Sequence, residues 1–352
     1  MNAGDFYLEE GFPFRGRKLE QLKQFLEKSG LTYDPLVQYS VLLKTREGAI
    51  AGCGSRHENT LKCIAVDERF QGEGYLSVLM TALSKNAYQQ GISHLFLFTK
   101  PANLVMFSDM GFYPITSTED MLLMENRKNG IREYLAREAA SLPREEKKTA
   151  GAIVMNANPF TNGHRYLAET AAAQCDLLHI FVLSEDASEF PADIRLELVR
   201  KGCADLENVF IHGSSDYLIS HATFPDYFLK DKAEATDKAV LLDLKIFGEY
   251  FKDAFHLNRR FVGEEPFSRI TRIYNEQMKK ILPQYGIEVT EIPRCTAPDG
   301  TVISATQVRR LFLSGCAEEL KPFVPKTTYA FLTSSEGQAL KKQLLEEKDT
   351  RS

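Results

Sequence analysis

Two short stretches of this chain carry residue types that can hold a phosphate. The first is NPFTNGH at 158–164, directly after the apolar run GAIVMNA. Asn158, Thr161 and His164 offer polar side chains there, and Gly163 lets a backbone approach a phosphate closely. A helix that starts at this point presents unpaired N–H groups and the positive end of its dipole, so His164 is placed to donate a hydrogen bond to phosphate oxygens. The second stretch is ISATQVR at 303–309, after the turn-forming PDG at 298–300. Ser304 is an N-cap by type, and Ser304 and Thr306 put hydroxyls beside first-turn amides. Arg309 follows one turn on, so hydroxyl, amide and guanidinium donors can meet one anion.

Both stretches need a scaffold that aims them. Residues 152–157 read as a buried strand, 158–164 as a loop, and the next segment as a helix with Leu167, Ala171 and Ala172 inward. Further strand patterns recur at 177–183, 208–212, 260–263 and 287–293, with helical patterns between most of them. That alternation predicts a Rossmann-like, doubly wound parallel sheet, whose ligand crevice lies at the carboxyl ends of its strands. The 158–164 turn is therefore where a nucleotide is expected. Arg195 and Lys230, on helix-like segments, are weaker candidates for reaching phosphates, and Gly263 with Glu264, at a strand end, for lining an adenine or ribose pocket.

The first half has its own strand, turn and helix. Residues 61–68 read as a strand running into Arg69, Phe70, Gln71, Gly72, Glu73 and Gly74. Leu76, Leu79, Met80, Leu83 and Ala87 then recur at three- and four-residue steps, so one helical stripe can pack on a sheet. Residues 94–99 are the next strand pattern. Between the halves, 125–148 is charged, helical in its middle and broken at Pro143, which reads as a connecting helix and linker. The expected organisation is a domain at 1–128, a helical linker at 129–148, a catalytic domain at 149–335 and a tail at 336–352. The tail mixes charges and continues no apolar face past Leu345, so a frayed helix is expected there.

Composition limits the functional classes. A chain of 352 residues suits two or three domains, and 43% apolar with 26% charged residues excludes wholesale disorder and fibrous architectures. A net charge of -5 gives no general attraction for nucleic acid or an anionic membrane surface. Six scattered cysteines without a CxxC pair or a Cys/His cluster predict reduced thiols, no metal site and a cytoplasmic setting. The polar N-terminus lacks the apolar run of a secretory signal, and no stretch approaches 18 apolar residues, so no membrane span is expected.

The two phosphate-type stretches together resemble the TxGH and ISxTxxR motifs of the nucleotidylyltransferase superfamily, with Thr161 first and His164 last in the former. Asn158 stands where an aspartate is usual and Thr161 where histidine is frequent, which narrows the resemblance. NANPFTNGHRYL, followed by RLELVRKGCADL, ATFPDYFLK, FVGEEPF and ISATQVRRL, resembles the citrate lyase ligases over about residues 5–333. That resemblance implies an ATP- and Mg2+-dependent acid–thiol ligase. It implies acetate as substrate and, as acceptor, the acyl carrier subunit of citrate lyase, whose thiol belongs to a dephospho-coenzyme A derivative. It also implies catalytic roles for His164 and Thr161, and ATP phosphate contacts for Asn158, Gly163, Ser304, Thr306 and Arg309.

Arg69, Gly72 and Gly74, with Gly111 and Phe112 downstream, resemble the coenzyme A loop of GNAT-like N-acetyltransferases, an α+β fold. Phe107 occupies the position where many of those enzymes carry a tyrosine acid, and phenylalanine has no proton to donate. The first half is thus expected to bind the pantetheine arm of the carrier rather than catalyse. Three other functions share parts of this pattern: an adenylyltransferase of pantetheine phosphate or nicotinamide mononucleotide, an N-acetyltransferase with a regulatory nucleotide domain, and a nucleotide-sensing module.

Overall fold

The computed structural model describes residues 6–140, 142, 149–183, 188–213, 215–218, 232–265 and 268–351. The chain divides into two compact units, Met1–Glu133 with Phe224–Leu242, and Tyr134–Thr223 with Asp243–Ser352.

Unit 1 contains β1 (Phe6–Gly11), α1 (Gly16–Lys28), β2 (Tyr39–Thr45), β3 (Ile50–His57), β4 (Thr60–Val66), α2 (Tyr75–Gln89), β5 (Phe96–Thr99), α3 (Leu104–Ser108), β6 (Tyr113–Ser117) and β7 (Leu122–Glu125). These strands form a mixed sheet of order β1-β2-β3-β4-β5-β7-β6. All its pairs are antiparallel except β4 with β5, which join only at Thr60↔Phe96 and Leu61↔Leu97. The predicted α2 stripe lies on this sheet, with Leu79, Met80, Leu83 and Ala87 buried. Close approach depends on β3. A Cβ on Gly54 would come 2.8 Å from Leu83 Cδ1, and one on Gly52 would come 3.0 Å from Leu79 Cδ1. The helix therefore nests where the sheet carries no side chain.

Helix α4 (Gly130–Ala139) follows, and the boundary between the units at Glu133 and Tyr134 falls within it. Unit 2 then alternates β8 (Ala150–Met155), α5 (Asn162–Ala172), β9 (Leu177–Val182), α6 (Ala192–Gly202) and β10 (Val209–His212). Helix α7 (Lys232–Ile246) belongs to unit 1 as far as Leu242; after it, a π-helical turn at Phe247–Phe251 and α8 (Lys252–Ala254), the alternation resumes with β11 (Arg259–Gly263), α9 (Arg269–Ile281) and β12 (Glu288–Ile292). Helices α10 (Ala305–Ser314), α11 (Lys326–Thr333) and α12 (Ser335–Arg351) close the chain.

The second sheet is parallel throughout, in the order β10-β9-β8-β11-β12. Chain order reverses beside β8, so the crevice of a doubly wound sheet opens at the carboxyl ends of β8 and β11. This is the predicted fold class for the second half. One face is an aliphatic layer beneath α5 and α6, with Ile153, Leu178, Ile180, Ala168 and Leu198 buried. The other is aromatic: Phe181 meets Phe251 and Phe255 edge-on at 5.4 and 5.2 Å between centroids.

A separate cluster joins the second motif to the C-terminal helices, burying Ile303, Val308, Phe312, Phe323, Leu340 and Leu344. The expectation of a frayed tail is thereby corrected. Leu340 and Leu344 lie four residues apart on α12, hence on one face, and are only 7% and 8% exposed. Reading the charges alone hid that short stripe.

Candidate functional site

The β8–α5 turn is built around Thr161. Its backbone is extended and its side chain accepts a hydrogen bond from the His164 N–H, so Thr161 is the N-cap of α5. His164 completes a capping box, because its Nδ1 accepts from the Thr161 N–H at 3.0 Å and lies 2.9 Å from the Thr161 hydroxyl. The ring stacks on Phe160 at 5.8 Å, and Phe160 is fully buried against Gly202 of α6. Burial, reinforced by the positive charge of Arg294, pushes the imidazole pKa down to about 4. At neutral pH the ring is therefore uncharged. With Nδ1 occupied as an acceptor, its proton sits on Nε2 as a hydrogen-bond donor.

The two motifs meet at Gly163. A Cβ built there would lie 3.6 Å from the Ile303 carbonyl oxygen and 3.8 Å from Ile303 Cγ2, ordinary van der Waals contact, so the two segments lie directly against each other. Ile303 is held from behind by its N–H to the Cys295 carbonyl at 3.3 Å and by burial in the C-terminal cluster. The next residue, Ser304, caps α10 by accepting from the Gln307 N–H at 3.2 Å, as its type predicts. Two capped helix starts thus lie side by side, and each leaves first-turn amides that their helices cannot satisfy. Asn162 adds a tie to the C-terminal region, donating from its N–H to the Phe323 carbonyl and from its side chain to the Pro322 carbonyl, both at 2.9 Å.

Arg309 crosses from α10 to the first motif. Its Nη1 donates to the Asn158 carbonyl at 2.7 Å, its Nε to Glu189 Oε1 at 2.9 Å, and its Nη2 lies 3.4 Å from the exposed Thr306 hydroxyl. Asn158 is tied to the same carboxylate. Its Nδ2 donates to Glu189 Oε2 at 2.8 Å while its Oδ1 accepts from the Phe190 N–H at 3.0 Å. The side chain expected to touch ATP is thus committed to the 189–190 segment. Burial pushes the Glu189 carboxyl up, but its own backbone amide, Asn158 and Arg309 outweigh that and hold it below the ordinary carboxylate value.

The remaining sequence candidates fall in different places. Arg195, expected to reach a phosphate, is fully buried, and its donors go to the Phe190, Asn156 and Leu183 carbonyls. That expectation is corrected: a guanidinium without access to water satisfies loop carbonyls instead, and here it pins the ends of β8 and β9. Gly263 ends β11 with open space where a Cβ would stand, and its carbonyl accepts from Asn275 Nδ2 at 3.1 Å. Glu264 is exposed, bonded through its backbone to Ile292 and Arg294. Lys230 lies outside the described residues. Two residues at the site escaped sequence reasoning. Arg294 directly follows a strand pattern that ends in the crevice, a signal the strand-end rule could have caught. Glu189 carries no such signal, since no element pattern places 184–191.

In unit 1, Gly72 and Gly74 take left-handed φ values of 83° and 81° between β4 and α2. Arg69 is paired locally with Asp67, through Nε at 2.9 Å and Nη2 at 2.8 Å, and that pairing holds the Asp67 carboxyl down to about 2. Beyond their two paired residues β4 and β5 diverge, and a cavity of about 1060 Å³ opens, lined by Ile64, Val66, Gly72, Phe98, Met106 and Phe107 among others. Among the described residues no cluster of three His, Cys, Asp or Glu side chains could hold a metal, and no helix is long and apolar enough to cross a membrane.

Residues 150–332 match the family model of the citrate lyase ligase C-terminal domain. Citrate (pro-3S)-lyase ligase of Klebsiella pneumoniae is 42% identical over 89% of this chain and 92% of its own, and that of Escherichia coli is 40% identical over 90% of each. Among solved structures, Escherichia coli ElaA aligns over 35% of this chain and 99% of its own at 12% identity and TM-score 0.31. A pantoate-beta-alanine ligase from Francisella tularensis aligns over 54% of this chain and 76% of its own at 12% identity and TM-score 0.34. The family match and the near full-length relatives agree: the chain belongs to the citrate lyase ligases, enzymes of the acid–thiol ligase class.

Proposed function

We propose that unit 2 uses ATP to activate acetate and passes the acetyl group to the thiol of the citrate lyase acyl carrier subunit. The observation that carries this reading is the junction at Gly163, where two capped helix N-termini from distant segments lie against each other with His164, Ser304, Thr306 and Arg309 around them. Such a junction suits a polyphosphate, because it concentrates amide, imidazole, hydroxyl and guanidinium donors on one side. In the first step an acetate oxygen attacks the α-phosphorus, the bond to the β-phosphate breaks, and pyrophosphate departs with acetyl-adenylate left behind. In the second, the carrier sulfur attacks the acyl carbon, the bond to AMP breaks, and the thiol proton leaves with the displaced group or to water.

Charge grows on the α-phosphoryl oxygens and on pyrophosphate as the first step proceeds. Donors fixed before the reaction therefore favour its transition state over free ATP. The His164 Nε2–H, the Ser304 and Thr306 hydroxyls and Arg309 fill that role, and Thr161 fixes the imidazole that donates. Magnesium fits as an ion carried in on the phosphates, since it needs only one or two carboxylates alongside phosphate oxygens.

The unit 1 cavity favours a second binding role, for the pantetheine arm of the carrier. It opens where two strands diverge, Gly72 and Gly74 are part of its lining, and Phe107 in that lining supplies no acid. The decisive assay is acetate-dependent exchange of labelled pyrophosphate into ATP, with magnesium and without carrier. Exchange is expected with acetate alone. If exchange instead requires pantetheine phosphate or nicotinamide mononucleotide, the protein is an adenylyltransferase of those acceptors.

A further inference from the structure

A carboxylate is out of place in a clamp for polyphosphate, because like charges repel. Glu189 nevertheless stands between the two motifs, with one oxygen on Arg309 at 2.9 Å and the other on the Asn158 amide at 2.8 Å. We propose that Glu189 is a positioning residue, which fixes Arg309 and the β8–α5 turn relative to each other so that the guanidinium's remaining donors face the bound polyphosphate. The proposal rests on the reading of this site as an ATP site.

The donor count supports it. A guanidinium has five N–H groups, and the contacts to Glu189, the Asn158 carbonyl and Thr306 leave two, as many as a bidentate grip on one phosphate uses. Glu189 takes the Nε side, which fixes how the fork is turned about its long stem. Isolated surface ion pairs orient little, since both side chains are flexible. This one is mounted rigidly. Phe190, the next residue, is fully buried with its ring tilted against that of Phe312 of α10 at 5.7 Å between centroids, on the helix that carries Arg309. Its N–H goes to Asn158 and its carbonyl takes the Arg195 Nε at 2.9 Å. The carboxylate therefore has a fixed base from which to aim its partner.

The two effects of Glu189 predict opposite outcomes on neutralising it. If charge alone mattered, Glu189→Gln would tighten binding of an anion. If positioning dominates, it weakens binding, and only while Arg309 is present. The experiment is calorimetric titration of inorganic pyrophosphate with magnesium into the full chain, as wild type, Glu189→Gln, Arg309→Ala and the double variant, with acetate-dependent exchange measured on the same four. Expected are a roughly tenfold loss of affinity and of exchange for Glu189→Gln, with less than about twofold change when Arg309 is already absent. Unchanged or tighter binding in Glu189→Gln, or equal losses in both backgrounds, overturns the proposal. Should Glu189→Gln not fold, Glu189→Asp, one methylene short of both partners, is expected to give the same Arg309-dependent loss, and its absence counts equally against the idea. A wild type that binds pyrophosphate but shows no exchange sinks the ATP-activation reading while the binding cycle still decides the role of Glu189. A wild type that binds no pyrophosphate overturns both.

Discussion

Both units place a glycine-bearing turn between a strand and a helix, yet the two turns are held in different ways. The Arg69–Gly74 turn is bonded locally: Arg69 reaches Asp67, and the Phe70 N–H goes to the Asp67 carbonyl. The 158–164 turn is bonded across the chain, to Glu189, to Arg309 at a separation of 151 residues, and to Pro322 at 160. A locally tied turn can bend around a flexible ligand. Stabilising a transition state asks for donors that do not move, and convergence of distant segments supplies that rigidity. The difference supports the proposal that unit 2 does the chemistry and unit 1 binds, and the following outcomes can break it.

The largest effect is expected at His164. Replacing it with alanine removes the Nε2 donor and half of the capping box, and the analogy with losing one oxyanion donor gives a fall in turnover of about 10² to 10³-fold. Pyrophosphate exchange on a variant whose melting curve is retained measures it, and a loss below about tenfold would reduce His164 to a cap. Next is Arg195→Met. It fills similar volume but leaves the Phe190, Asn156 and Leu183 carbonyls without their buried donor, which costs about 2 to 4 kcal/mol of stability. Denaturant unfolding of the full chain checks this. If Arg195→Met keeps stability but loses ATP affinity, the original expectation that Arg195 reaches the nucleotide is restored.

Much of this comparison was legible in the residues, though unevenly. The stretch ISATQVR announced its cap because capping is local: a side chain and an amide three residues away suffice. The cap at Thr161 was passed over because 158–164 reads as a loop, whereas the helix begins at Asn162. The parallel sheet was legible because buried strands read as apolar runs between helical patterns. Strand β2 was missed, although all seven of its residues are buried, because YSVLLKT mixes polar and apolar types without alternation. Lys44 and Ser40 are buried there through partners the sequence cannot point to, Glu9 on β1 and Ser55 on β3. Arg195 was misplaced for the same reason. A basic residue on a helix pattern reads as solvent-facing or anion-facing, and only the fold reveals three loop carbonyls converging on it.

A smaller effect is expected in unit 1. Gly72 has a left-handed backbone and open space beside it, so the side chain of Gly72→Asp meets no neighbouring atom at its Cβ, at a backbone cost of about 1 to 2 kcal/mol, which Asp bears better than most residue types. It adds a negative charge and a side chain to the cavity lining. The Michaelis constant for the carrier thiol should rise roughly tenfold while acetate-dependent exchange, which needs no carrier, stays unchanged. An unaltered Michaelis constant with the fold intact would remove the pantetheine arm from this cavity.

A last effect, read as protection rather than as activity, separates the units by pH. His164 is pushed down to about 4, and His179 to about 3 by burial and by His212 at 2.9 Å. His212 is also lowered by burial, with Glu138 opposing and Arg200 reinforcing that shift. Each of these groups has a folded pKa below its unfolded value near 6.5, so the unfolded chain takes up a proton that the folded chain refuses. Their stabilisation is complete above pH 6.5 and erodes as pH falls toward the folded values, by at most about 1.4 kcal/mol per group for each pH unit. In unit 1 the lowered carboxyls of Glu9 and Asp67 respond only at lower pH, because their unfolded values already lie below 5. Hydrogen exchange on the full chain between pH 6.5 and 5 should therefore show protection falling in β8–β10 while β2–β4 hold. Over the same window exchange of pyrophosphate into ATP should show no titration from His164, since the neutral ring keeps its Nε2 proton. Equal loss of protection in both units would mean that these histidines are not held neutral, and would take with it the fixed tautomer on which the role of His164 depends.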